Sequence, residues 1–422
     1  MTGWRRLLPP RPCRLLASAA AGALLMSGCG VLPGASGGSR EPVTVMTWAP
    51  DTTGADAVNM AGMPAMARTY ARWINEKGGI DGHELRVLTC NEQDTAAGAS
   101  KCARRAADED VAAVVGSYSR YGRAFLAPLE AAGIPYIGGY GASADEFTSY
   151  LSYPVNGGQP ALLAGNGEQL AAHCERVSLV RPDTLVGDTM PGLLDTGLGR
   201  GDRPAAHDIS AAEGATSYES EAARALDEAG DGCVTAVLGK GTETFFDSFR
   251  RLEPADSKVR ISSVLGSVGQ GLVDRTGGAD SPFEGALVTG WYPESGDARW
   301  NEMREVIRKY AFGDNRIDPA DTGVQTTWIA YTALRAVVEA MDRPDITAGG
   351  ISVSLNRGTE VDTGGLTPVL RWRYQDMVGT AAYGRIVNGR VTFQVVRDGR
   401  LTAAEKDFVD VTETLLDART GG

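Results

Sequence analysis

From Val43 onward the chain repeats one pattern: a short β-rich apolar run, a loop of small polar residues, and a stretch with helical spacing. Strands that alternate with helices favour a parallel sheet covered on both faces. The predicted strands of the first series are Val43–Trp48, Leu85–Cys90, Ala112–Val115 and Pro135–Ile137, and the predicted helices are Ala57–Lys77, Ala99–Glu109 and Ala124–Ala132. This series predicts one doubly wound lobe.

A second series starts after Tyr153 and predicts a second lobe of the same kind. Its predicted elements are the helix Pro160–His173 and the strands Val177–Val180, Thr235–Leu238 and Arg260–Val264. Roughly 380 residues follow the N-terminal segment, which exceeds the limit of about 250–300 for a single core and also favours two lobes.

The last third breaks the alternation. Ala298–Tyr310 and Val324–Met341 both have helical spacing with no clear strand between them, so we expect them to return to the first lobe. Further on, Asn388-Gly389 stands between two β-rich runs and predicts a hairpin in the second lobe.

These patterns predict an α/β fold of two doubly wound parallel-sheet lobes joined by a hinge of three crossings. The crossings are expected near Val155–Gly158, Trp291–Gly296 and Val361–Pro368. The predicted segments are a signal peptide (1–28), a tether (29–41), lobe one (42–156), lobe two (157–290), a return to lobe one (291–365) and a tail of lobe two (366–422).

The N-terminus has the features of a bacterial lipoprotein signal. Four arginines within residues 1–14 precede an apolar run, Leu15–Met26, and the small residues Ser27-Gly28 stand before Cys29. The alternative, a transmembrane helix, needs roughly 20 apolar residues, and this run is shorter. We therefore expect export, acylation of Cys29 and an extracytoplasmic protein anchored by lipid.

Charge and cysteine usage narrow the classes of partner. Loss of the signal removes four arginines and no acid, which takes the formal charge from −12 to about −16 and disfavours nucleic acid. The four cysteines that remain after Cys29 predict two disulfides in an exported chain, Cys90 with Cys102 and Cys174 with Cys233. Zinc is the alternative, but the sequence has no C-x-x-C pair and no histidine ligand spacing, so we expect no metal.

Motifs for catalysis are missing from the sequence. In the predicted lobes (42–422) it contains no G-x-S-x-G elbow, no P-loop, no G-x-G-x-x-G after a strand and no paired histidine ligands. We therefore expect neither an enzyme nor a bound cofactor.

The most specific segment is WINEKGGIDGHELRV at Trp73–Val87, where Gly78-Gly79 suit a left-handed helix end after Lys77. Here the chain resembles the leucine/isoleucine/valine-binding family of type I periplasmic binding proteins. Three further segments carry the resemblance: Ala112–Ser119, Ala132–Gly139 and Phe283–Thr289. In order and spacing they cover essentially all of residues 43–400.

The resemblance implies a monomeric protein that binds a small solute between two hinged lobes and then docks on the membrane permease of an ABC importer. A lipoprotein receptor of the same fold that signals to a membrane partner is the alternative. Ligands of open α/β sheets bind beyond the carboxyl ends of the strands. By that rule the candidate ligand contacts are Asn59, Ser117, Tyr118, Ser119, Tyr140, Gly141, Ser143, Asp183, Val186, Thr242 and Val268.

The sequence departs from relatives that bind amino acids. They hold the ammonium with a glutamate in a Gly-x-Glu-Gly loop, where this chain has Gly266-Ser267-Val268-Gly269, and they often place tyrosine before a glycine where it has Val186-Gly187. We therefore expect a small amphipathic solute with an acceptor-rich end, bound without that clamp. Acids that could substitute for the missing glutamate are Asp183, Glu243 and Glu294.

Overall fold

The computed structural model describes residues 40–52, 58–254, 256–380 and 382–418. The predicted signal peptide (1–28), the lipidation site Cys29 and most of the tether lie outside these residues.

The first sheet is fully parallel, with strand order β2-β1-β3-β4-β5. Its elements in chain order are β1 (Arg40–Ala49), α1 (Gly62–Glu76), β2 (His83–Asn91), α2 (Ala96–Asp108), β3 (Ala113–Val115), α3 (Gly122–Ala132), β4 (Tyr136–Ile137) and β5 (Ser152–Tyr153). Side chains of α2 and α3 bury one face and those of α1 the other, so the predicted doubly wound arrangement is confirmed. The helix predicted from Ala57 begins later, at Gly62.

The end of α1 shows why the sequence needs two glycines there. Gly78 and Gly79 have φ angles of 98° and 82°, in the left-handed region that glycine adopts most easily. A Cβ atom on Gly79 would lie 2.0 Å from the carbonyl oxygen of His83. Lys77 lies over the ring of Trp73 at 4.3 Å, so this motif closes the helix and starts β2.

The second sheet has strand order β12-β11-β10-β9-β8-β6-β7. Its first elements are α4 (Gly158–Ala171), β6 (Val177–Pro182), α5 (Met190–Arg200), β7 (His207–Ala211), α6 (Glu219–Ala229), β8 (Cys233–Ala236), α7 (Gly241–Leu252), β9 (Arg260–Val264), α8 (Gln270–Arg275) and β10 (Leu287–Gly290). These strands run parallel to one another, which confirms the second lobe.

Three helices then follow in sequence: α9 (Asn301–Tyr310), α10 (Thr322–Met341) and α11 (Ala348–Arg357). Both α9 and α10 contact α1, and α10 also contacts β3 and β4 of the first sheet. The predicted return of these helices to the first lobe agrees with these contacts, whereas the exact segment boundaries stay a prediction.

The C-terminal segment adds antiparallel strands to the second sheet. Its elements are β11 (Arg390–Arg397), β12 (Arg400–Ala403), β13 (Val409–Asp410) and α12 (Thr412–Asp417). The hairpin predicted at Asn388-Gly389 is wrong, because the turn lies at Asp398-Gly399, between β11 and β12. Asn388 is buried instead, and its amide donates to the carbonyl oxygen of Val155 over 3.3 Å.

Both predicted disulfides are present. Cys90 pairs with Cys102 and links β2 to α2, while Cys174 pairs with Cys233 and links the chain after α4 to the start of β8. Each lobe therefore carries one covalent link of its own.

Candidate ligand-binding site

Two loops of the first lobe meet at the carboxyl end of its sheet. The loop after β3 (116–121) and the loop after β4 (138–143) are joined because the Tyr140 amide donates to the Ser117 carbonyl oxygen over 2.9 Å. The ring of Tyr140 lies 5.2 Å from that of Tyr118 and 5.3 Å, edge to face, from that of Trp291. We call Tyr118, Tyr140 and Trp291 the aromatic wall.

The aromatic wall is fixed at one end and partly exposed at the other. Trp291 is buried, and its Nε1 donates to the carbonyl oxygen of Gly158 over 2.8 Å. Tyr118 and Tyr140 are partly exposed. Aromatic side chains of this kind offer an apolar face with a polar tip, which suits amphipathic solutes.

Tyr140 reaches across to the second lobe. A Cβ atom on Gly266, in the loop after β9, would lie 3.1 Å from the Tyr140 hydroxyl oxygen. Gly266 has a φ angle of 95°, so glycine is required there for its backbone and for the close approach. The cleft between the lobes therefore narrows at Tyr140 and Gly266.

The three predicted serines all have partners within the first lobe. Ser117 accepts from the Trp48 amide over 3.0 Å, Ser119 donates to the Glu92 carboxylate over 3.0 Å, and Ser143 accepts from the Asp145 amide over 3.2 Å. Each hydroxyl thus holds a loop in place, and a ligand would have to compete for it.

The carboxylate of Glu146 lies behind the second loop. It accepts the amide protons of Gly141 and Ser143 over 3.2 and 3.1 Å, and Ser143 and Glu146 form a capping box. Glu146 is buried, which raises the pKa of its carboxyl to about 8 despite those donors. The amides of two predicted ligand contacts, Gly141 and Ser143, therefore bind a carboxyl group of the chain itself.

Glu92 plays a matching part behind the first loop. Burial raises the pKa of its carboxyl to about 7, although the Ser119 hydroxyl donates to it. Among the described residues, its Oε1 atom and the buried Nε1 of Trp48 have no hydrogen-bond partner. Burying Glu92 with incomplete hydrogen bonding therefore costs free energy, although its bond to Ser119 holds the loop 116–121 in place.

The other predicted contacts are spread more widely. Asp183 and Val186 are exposed in the loop after β6, and Asn59 is exposed and accepts from the Ala61 amide over 2.9 Å. Thr242 is buried and accepts from the Leu238 amide over 3.0 Å, while Val268 is buried in the core of the second lobe. The structure thus brings Tyr118, Tyr140 and their neighbouring serines together, but not Thr242 and Val268.

Of the three acids expected to replace the missing glutamate, Glu243 binds Arg275 over 2.8 Å and Asp183 is exposed. Burial raises the pKa of the Glu294 carboxyl, which lies on the second crossing. Sequence reasoning missed Asp321, which caps α10 by accepting from the Val324 amide over 2.9 Å.

Asp321 lies near the aromatic wall. Burial is the main cause that raises the pKa of the Tyr140 hydroxyl, and the Asp321 carboxylate adds to it. No local signal places Asp321 there, since it precedes a helix of the returning segment. Trp291 could have been found, because it directly follows β10 and the strand-end rule applies to it.

A match to a protein-family model shows which family the chain belongs to. A family model described as periplasmic binding protein matches residues 48–390. The chain therefore belongs to the periplasmic binding protein family, and the type I leucine/isoleucine/valine-binding resemblance found in its sequence is confirmed. No curated protein matches the chain in sequence.

Solved structures share the fold at low sequence identity. A branched-chain amino acid ABC transporter protein from Thermus thermophilus with bound valine has a TM-score of 0.68 and 16% identity, and covers 90% of this chain and 99% of its own. A possible leucine/isoleucine/valine-binding protein from Rhodopirellula baltica SH 1 has a TM-score of 0.70 and 14% identity, with coverage of 91% and 100%. An ABC transporter substrate-binding protein from Desulfitobacterium hafniense in complex with Leu has a TM-score of 0.63 and 16% identity, with coverage of 86% and 100%.

Family membership makes this chain an extracytoplasmic solute-binding protein and not an enzyme. Within the described ranges, no helix has the length and apolar character needed to cross a membrane. Over the same ranges, no group of three or more His, Cys, Asp or Glu side chains is placed to hold a metal ion.

Proposed function

We propose that this protein is the lipid-anchored capture subunit of an ABC importer, with its solute bound between the lobes against the aromatic wall. The observation that carries the proposal is the approach of Tyr140, whose ring packs against Tyr118 in the first lobe, to Gly266 of the second lobe, in a chain of this family. The named relatives, which include proteins with bound valine and with Leu, support the importer role.

The ligand we propose is a small amphipathic solute with an acceptor-rich end. The usual ammonium partner is replaced by Val268, which is buried, and the amides of Gly141 and Ser143 are bound by Glu146. An ammonium group buried in the cleft without a carboxylate partner would cost about 1–3 kcal/mol or more, so free α-amino acids should bind weakly.

A thermal-shift screen of amino acids, their amides, short peptides and aromatic acids tests the ligand class. We expect the largest shifts from amphipathic compounds that lack a free ammonium group, and a recovered ligand that is chemically intact. Tight, saturable binding of leucine, isoleucine or valine that survives Asp183→Ala, Glu243→Ala and Glu294→Ala would contradict the proposed ligand class.

Hinge closure is the second part of the proposal. Ligand should draw the lobes together about the three crossings, and small-angle scattering should show a smaller radius of gyration at saturation. An unchanged scattering curve with a verified ligand would argue against closure.

Lipid anchoring is the third part. Cys29→Ala should release the protein from the membrane or leave it unprocessed, whereas Cys13→Ala, within the predicted signal, should change neither size nor detergent partitioning. Unchanged partitioning of the Cys29 variant would remove the anchor from the proposal.

A further inference from the structure

A second cavity lies beside β5, the edge strand of the first sheet. It has a volume of about 390 Å³ and is lined by Thr148, by Asn356 of α11 and by residues of the segment after the third crossing, Trp372, Tyr374, Met377, Gly384 and Arg385. None of the predicted ligand contacts of the cleft lines it. Its volume falls within the range of about 300–1,000 Å³ that is usual for small-molecule sites.

Arg385 is the charged group of this cavity. Its Nε and Nη2 atoms donate to the carbonyl oxygen of Ser152 over 3.0 and 2.8 Å, and its guanidinium carbon lies 5.0 Å from the ring centroid of Tyr153. Burial lowers the pKa of Arg385, because the charged form loses contact with water.

Arg385 differs from the other arginines of its segment because no carboxylate pairs with it. Throughout the described ranges, no carboxylate lies within ion-pair distance of Arg385, whereas Arg371 and Arg373 of the same segment bind Glu360 and Asp376 over 3.1 and 2.7 Å. A partly buried charge without a counter-charge is costly, so this side chain is poised to bind an anion.

Two neighbouring buried hydroxyls, one of them close to Arg385, have no hydrogen bond of normal geometry to any described residue. They belong to Tyr153 and Ser352, and the Tyr153 hydroxyl lies close to Ser352, Asn356 and Arg385. Neither hydroxyl lines the cavity. Since buried hydroxyl groups without a partner are rare and cost about 1–3 kcal/mol each, the polar groups around Arg385 are poorly satisfied, and the cavity is where its guanidinium can gain a partner.

The rest of the lining is apolar. Trp372 is fully buried, whereas Tyr374 is 92% exposed although it lines the cavity, and Met377 follows them in sequence. A flat apolar group could therefore enter past Tyr374 and stack there.

We propose that this cavity binds a small organic carboxylate, whose anion pairs with Arg385 and whose apolar body lies against Tyr374 and Met377. Such a site is separate from the cleft, and its existence does not depend on the importer role. A bidentate guanidinium–carboxylate pair supplies the specificity for an anion over its neutral amide.

Titration of the full chain with benzoate, followed by NMR, tests the proposal. We expect saturable binding at residues of the cavity, with benzamide at least about tenfold weaker because it lacks the charge. Arg385→Gln should weaken benzoate binding at the cavity residues by a similar factor, while Arg371→Gln should leave it unchanged.

Because Arg385 also binds the Ser152 carbonyl, Arg385→Gln could unfold the region, so Asn356→Asp serves as a second variant. It places a carboxylate inside the cavity and should abolish benzoate binding while raising the melting temperature. The proposal is overturned if benzoate does not saturate up to its solubility limit, or if benzamide binds equally well. It also fails if Tyr140→Ala removes the benzoate-induced NMR shifts of the cavity residues.

Discussion

The loops of the two lobes that face the cleft are built differently. In the first lobe, buried carboxylates hold both loops from behind, Glu92 at 116–121 and Glu146 at 138–143. In the second lobe, the loop after β6 presents Leu185 and Val186, which are 88% and 59% exposed. The first lobe is therefore preorganised, whereas the second offers an apolar surface that a ligand can cover, and preorganised contacts lose less entropy on binding.

The disulfides give the largest expected difference between the lobes. Cys174–Cys233 closes a separation of 59 residues and Cys90–Cys102 one of 12. Replacing both cysteines of a pair by alanine should lower the free energy of unfolding by about 4 kcal/mol in the second lobe and about 3 kcal/mol in the first. Urea unfolding measures both, and a larger loss from the first-lobe pair would contradict the chain-entropy account.

Glu146→Gln should break the support of the loop after β4. With a pKa of about 8, Glu146 is largely protonated at neutral pH, yet both of its oxygens can still accept an amide proton. The NH₂ group of glutamine cannot, so we expect a loss of about 1–3 kcal/mol in stability. Glu243→Gln, at an exposed ion pair of the second lobe, is the control and should cost less than about 1 kcal/mol. Equal effects of the two changes would show that Glu146 does not hold the loop.

The Glu92→Gln variant tests the support of the other first-lobe loop through the pH dependence of folding stability. The Glu92 carboxyl has a pKa of about 7 in the folded protein against an ordinary value of 4.5, so between these values only the folded state keeps the proton. The stability that Glu92 contributes is therefore full below pH 4.5 and is lost as the pH rises through 7. At about pH 8 the free energy of unfolding of the glutamine variant should exceed that of the wild type by on the order of 1 kcal/mol, a figure reduced for screening by nearby solvent. This gain in stability should shrink towards about pH 5.

Thermal melts between about pH 5 and pH 8 measure that gain. Glu84→Gln, at an exposed position of β2, which ends one residue before Glu92, should leave the wild-type pH dependence unchanged. A Glu92→Gln variant with the same pH profile as the wild type would mean that Glu92 is ionised in the folded protein at neutral pH.

Local patterns predicted much of the fold because alternating strands and helices are encoded by periodic apolar residues. The strand predicted at Arg260–Val264 matches β9 at both ends, and β1 to β4 were each found. The strand β7 (His207–Ala211) was missed because it is an edge strand with three exposed residues of five. Asn388-Gly389 and Asp398-Gly399 are equally good turn sequences, and only the pairing of β11 with β10 and β12 decides between them.

The site was predicted in part. Tyr118 and Tyr140 follow strands, so the strand-end rule found them. The role of Glu146 was missed although Ser143-x-x-Glu146 has capping-box spacing, which is a readable local signal. Asp321 and the unpaired Arg385 could not be found, since their surroundings come from segments far apart in sequence.

The central claim is that the solute binds against the aromatic wall of the first lobe, and calorimetric titration with the strongest hit of the ligand screen tests it most directly. Tyr140→Ala should weaken binding by at least about tenfold, which is about 1.4 kcal/mol, while Val186→Ala should change it by less than about threefold. Tyr140→Phe is the matched control, because it keeps the ring and removes only the hydroxyl, and so separates the contributions of the two to the affinity. Unchanged affinity in Tyr140→Ala, or a larger loss in Val186→Ala, would contradict the account.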